Sequence, residues 1–96
     1  MINLKETFEK FSDEYIKFEN VRQRLHHRPD ICAFLILDKL IPVFGKDMVS
    51  AAEHDEIYLD TDIERLAEVA TEEDIADLVR CGVRFCNEYD CLCMFV

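Results

Sequence analysis

Glycine and proline are scarce in this chain, two of each in 96 residues, where average usage would give roughly seven and five. Long loops and low-complexity linkers are therefore not expected. Tryptophan is absent. The longest apolar run, Ile31 to Leu37, is far shorter than the roughly 20 residues needed to span a bilayer. Met1 to Lys10 lacks the apolar stretch of a secretory signal. There is no glycine-rich phosphate loop, no G-x-S-x-G turn and no pair of histidines at metal-binding helical spacing. These absences point to a cytoplasmic chain that is not an enzyme and needs no cofactor.

Basic residues are also few, 11 against 21 acidic ones, for a net charge of −10. The deficit is uneven. Through Asp30 the two signs balance, whereas beyond it five basic residues (Lys39, Lys46, Arg65, Arg80, Arg84) face fifteen acidic ones. Such a surface repels phosphate backbones and attracts basic proteins, so a protein partner with a basic surface is expected and direct nucleic-acid binding is not. The five cysteines are an odd number without secretory context, which favours free thiols.

Half the residues are apolar, enough for a core, and the length suits one domain spanning 1–96. Leu4, Phe8, Phe11, Tyr15, Phe18 and Leu25 recur at spacings of 4, 3, 4, 3 and 7, which predicts one long amphipathic helix over 1–28 capped by Asn3. Its stripe packs on the protein's own core or forms a homodimer seam. Pro29 ends it. Asp30 to Ile41 reads as a buried second helix closed by Pro42, and Met48 to Ala52 as a short helix. Glu56 to Asp60 alternates as a strand. Thr61 with Glu64 predicts a capping box, Thr71 caps a further helix, and Gly82 stands where a left-handed C-terminal cap is expected. Val83–Cys86 and Cys91–Phe95 then form a hairpin across NEYD, with Cys86 opposite Cys91 and Arg84 opposite Cys93. Alternation sends Val83, Phe85, Leu92, Met94 and Val96 to one face and Cys86, Cys91, Cys93 and Phe95 to the other. That second face would be covered by the N-terminal helix or by another subunit.

The fold class is therefore α+β and mainly helical. The helical pair LAEVATEEDIADLVRCGV followed by FCNEYDCLCMFV, with the helix and strand before them, resembles a winged helix-turn-helix domain over residues 30–96. The resemblance implies that the second helix of the pair lies in the major groove. The positions expected to face outward on it are Glu72, Glu73, Ala76, Asp77 and Arg80, three carboxylates against one guanidinium, which opposes DNA reading.

The function expected is that of an acidic interaction module, an adaptor or inhibitor, with Asp62, Glu64, Glu72, Glu73, Asp77, Arg80 and Phe95 at the partner surface. Small acidic inhibitors of this size occur among phage and mobile-element products. An acidic face of this density also suits imitation of nucleic acid before a basic groove, or simple solvation. The alternative is a dimeric winged-helix transcriptional regulator that binds DNA through Arg22 to Arg28. No metal site is assigned: the spacing of Cys81, Cys86, Cys91 and Cys93 matches no familiar zinc pattern, and a small buried hydrophobe is the plainer reading of these thiols.

Overall fold

The Asn3 side chain accepts from the Glu6 N–H at 3.1 Å and opens helix α1, Leu4–Lys10. In the computed structural model, which describes residues 1–43 and 45–95, α1 stops there and does not continue to residue 28. Two single 3₁₀ turns, Ser12–Glu14 and Phe18–Asn20, follow it. Ile16 lies between them in the left-handed region (φ 56°) and donates its N–H to the Val79 carbonyl at 3.1 Å.

The bent path matches the size of the molecule. A straight helix of about 25 residues would run roughly 37 Å, whereas the molecule measures 29 × 28 × 26 Å. Breaking the helix lets the segment wrap. Phe8, Phe11, Tyr15 and Phe18 still face the core, because 3₁₀ turns preserve a spacing close to three residues. The aromatic stripe is thus used within the chain.

Helix α2, Pro29–Leu40, places proline at its first turn, where the missing N–H costs nothing. It buries Cys32, Ala33, Ile36 and Leu37 and leaves Leu35 exposed. The short helix expected at Met48 to Ala52 is instead strand β1, Val49–Glu53, paired antiparallel with β2, Glu56–Leu59. His54 and Asp55 join them, both at positive φ (52° and 65°), as a type I′ turn requires. All five β1 residues are exposed, so no burial period marks the strand.

Helix α3, Ile63–Val69, is capped by Asp62, whose side chain accepts from the Arg65 N–H at 3.1 Å. This corrects the expected Thr61–Glu64 box by one residue. Helix α4, Glu72–Arg80, opens with the reciprocal Thr71–Asp74 capping box. Gly82 follows at φ 97° and passes the chain to β3, Arg84–Cys86, and β4, Cys91–Phe95.

The hairpin register is the expected one, Arg84 opposite Cys93 and Cys86 opposite Cys91. Strand β2 lies alongside β4, giving a four-stranded antiparallel sheet in the order β1-β2-β4-β3. Leu59, Leu92 and Met94 on its inner face meet Leu66, Ile75, Leu78 and Val83 in one core. Val96, assigned to that face by alternation, lies outside the described residues. Helix α1 also packs on the inner face, through Phe8 against Phe85 at 6.0 Å between ring centroids, and not over the thiols as expected. The result is a small α+β domain, compatible with a winged-helix-like arrangement. Among the described residues no helix is long and apolar enough to cross a membrane.

Gly82→Ala tests the α4-to-β3 connection. The added Cβ would meet Ile16 Cγ2 at an ordinary 3.6 Å, so the cost should come from the positive φ, about 1–2 kcal/mol. A lower urea midpoint with an unchanged m value is the expected reading.

Candidate functional site

Asp77 was expected on an outward face. It is fully buried, at 0% exposure, as is Ala76. Its carboxylate accepts from the backbone N–H groups of Arg22 (3.0 Å) and Gln23 (3.1 Å) and from Arg80 Nη1 (3.1 Å). The outer side of α4 is therefore covered by the chain's own N-terminal segment, with both 3₁₀ turns in contact with it.

Charges complete the cover. Arg80, whose side chain is 11% exposed, also donates to Glu14 at 2.8 and 3.0 Å. Burial alone would lower the Arg80 pKa, but its hydrogen bonds and charge contacts with Glu14 and Asp77 outweigh that effect and raise it. Lys10 pairs with Glu72, Arg22 with Glu73 at 3.4 Å, and Gln23 Nε2 donates to Asp74 at 2.7 Å. The acidic side chains of α4 are thus matched from within.

The residues singled out in the sequence separate into three places. Glu72, Glu73, Asp77 and Arg80 belong to the α4 cover, the first two exposed but ion-paired. Phe95 is 57% exposed on the outer sheet face, with the Arg84 guanidinium 3.9 Å from its ring centroid. Asp62 and Glu64 remain at the exposed N-terminal end of α3.

Around that end the structure gathers carboxylates from distant parts of the chain. Asp38 from α2, Asp47 from the following loop, and Asp60 and Asp62 before α3 line one cavity of about 290 Å³. Leu37, Ile41, Val43 and Met48 supply its apolar lining. Lys46 is the basic residue in the lining and pairs with Asp60 at 3.4 Å. Across α3, a second groove carries Glu64, Glu68 and Asp90, with Lys5 as the basic residue in its lining, beside Ile63, Ala67 and Phe85. Among the described residues Asp38, Asp47, Glu64 and Asp90 have no ion-pair partner, and Glu68 is paired with Arg65 on its own helix. Asp38 and Asp47 carried no signal in the sequence, because nothing in their local spacing tells that they converge with Asp62.

Cys86, Cys91 and Cys93 share the outer face of the sheet, as the register requires. Among the described residues no group of three or more histidine, cysteine or acidic side chains is placed to hold a metal ion. No protein-family model matches the chain, and no curated protein or solved structure matches it significantly.

The two kinds of carboxylate should respond differently to removal. Asp77→Ala strips the acceptor from two N–H groups and leaves Arg80 with Glu14 alone, an expected loss of about 3–5 kcal/mol. Glu73→Gln removes one exposed pair and should stay within about 0.5 kcal/mol of the parent. Urea denaturation of both variants checks the contrast; equal effects would mean that the cover is not anchored at Asp77.

Proposed function

We propose that the chain is a non-enzymatic interaction module, an adaptor or inhibitor, that binds a basic surface of a protein partner through the acidic side of α3. The observation that carries this reading is the partition of the carboxylates. Those of α4 are consumed by contacts within the chain, while Asp38, Asp47, Asp62 and Glu64 stand around α3 beside apolar linings. Unpaired charge next to apolar surface suits a basic partner: the carboxylates steer approach and register, and desolvated apolar contacts lengthen residence. A partner that itself binds nucleic acid would offer such a surface, and the chain would then compete with phosphate for it.

The winged-helix resemblance is absorbed in the same reading. The helix that would enter a DNA groove is overlaid by residues 12–25, and the basic segment that overlies it spends Arg22 on Glu73 and Arg24 on the Phe18 carbonyl and ring.

The test compares the native chain with Asp38→Asn/Asp47→Asn/Glu64→Gln, which leaves the Asp62 cap and the α4 cover intact. A tagged pull-down from nuclease-treated lysate should retain a basic protein on the native chain and lose it on the triple variant. For the purified pair, the association rate should fall by about tenfold or more between low and high salt. Equal retention by both chains would overturn the α3 assignment. Retention only without nuclease would return the reading to a DNA-binding regulator acting through Arg22 to Arg28.

A further inference from the structure

Two pairs of thiols lie in this chain in opposite settings. Cys32 and Cys81 are buried, Cys32 donating to the Gln23 carbonyl at 3.4 Å, and burial together with the Cys32 thiol holds Cys81 far above the usual thiol pKa. Cys86 and Cys91 flank the turn of the β3–β4 hairpin, both only partly buried and both free.

The register sets Cys86 directly opposite Cys91. Opposed residues of an antiparallel ladder have Cα atoms about 4.5–5.5 Å apart, inside the roughly 4.4–6.8 Å that a disulfide spans. Both side chains leave the same face of the sheet. Cys93, at 1% exposure, is closed off on this face, where Arg84 stacks on Phe95 and pairs with Glu56. Of the three thiols on this face, therefore, the two that face each other are also the two that solvent reaches.

We propose that Cys86 and Cys91 are a reversible redox pair, oxidised by a low-molecular-weight disulfide of the glutathione type to a disulfide that ties the hairpin at its turn. The Cys86 thiolate attacks one sulfur of glutathione disulfide; that S–S bond breaks, a mixed disulfide forms on Cys86, and the first glutathione leaves as thiolate and takes up a proton. Cys91, deprotonated in turn, attacks Cys86 Sγ and expels the second glutathione. Two protein thiols lose two electrons and two protons, and one glutathione disulfide becomes two glutathiones. An adduct on Cys86 stands opposite Cys91 in the ladder, so a resolving sulfur is in register with it. Burial, the Cys86 thiol and the Asp90 carboxylate raise the Cys91 pKa, which makes the exchange slow at neutral pH without opposing its equilibrium position. Phe85 and Asp90, next to these cysteines, line the groove beside α3, but the redox proposal does not rest on the interaction reading and is tested separately.

The experiment equilibrates the native chain in glutathione buffers of graded ratio, quenches with acid, alkylates and maps the products by mass spectrometry. Cleavage after Glu88 and Leu92 puts the three hairpin thiols on separate peptides. The expected product is a single internal disulfide joining Cys86 to Cys91, with Cys32 and Cys81 fully alkylated only after denaturation. The equilibrium constant of the native chain should exceed that of the same chain in guanidinium by at least about tenfold, because the ladder pre-positions the sulfurs. Cys91→Ser should instead accumulate the glutathione adduct on Cys86. A link from Cys86 to Cys93, a stable adduct on the native chain, a cross-linked dimer, or equal constants in the folded and denatured chain would each overturn the proposal.

Discussion

The carboxylate of Asp77, held without solvent between two backbone N–H groups and the Arg80 guanidinium, is the contact on which the rest of this fold depends. A charge so placed tolerates burial only while all its partners are present, since desolvation costs several kcal/mol and Coulombic attraction repays it only with good geometry. Two of those partners are main-chain groups 54 and 55 residues away in sequence. Arg22 and Gln23 therefore come to α4 on a bent, non-helical stretch of chain, and a helix through that point would have turned their N–H groups inward along its own axis. The break in the N-terminal helix and the burial of Asp77 are one event seen from two ends.

That arrangement explains why local rules were legible in some elements and not in others. The Thr71 cap, Gly82 and the hairpin register all rest on interactions within a few residues, and each stands where the sequence places it. Phe11, Tyr15 and Phe18 were correctly read as inward-facing, whereas Leu25, the last residue of the expected stripe, is 45% exposed. Yet a spacing of three to four is shared by one long helix and by successive 3₁₀ turns, and long-range contacts such as those of Arg22 and Gln23 with Asp77 decide between them. Strand β1 failed for the opposite reason: its residues are exposed on both faces, and its pairing with β2, not a hydrophobic period, makes it a strand.

The candidate site was legible to the same degree. Asp62 and Glu64 could be named because an acidic run before and within a short helix has an exposed side whatever the fold. Glu72, Glu73 and Asp77 were grouped with them because sequence shows a run of charges and not their partners. Their partners are Lys10, Arg22 and Arg80, two of them in a different third of the chain.

The balance of charge along the chain takes on a different meaning in three dimensions. The N-terminal third is neutral by count, but several of its charged and polar side chains are spent on α4, so the surface excess of negative charge belongs to α3, the loop before β1 and the turns. Exposed pairs of the Lys10–Glu72 kind contribute little stability each. Their larger effect is to cancel the field that four acidic residues on one short helix would otherwise project. What remains is a focused negative region beside apolar linings, and such a region discriminates by sign and shape together: phosphate is repelled, and a basic patch gains only if it also fits the lining. An overlaid α4 and an open α3 are the two features on which the proposed binding of a basic protein partner rests.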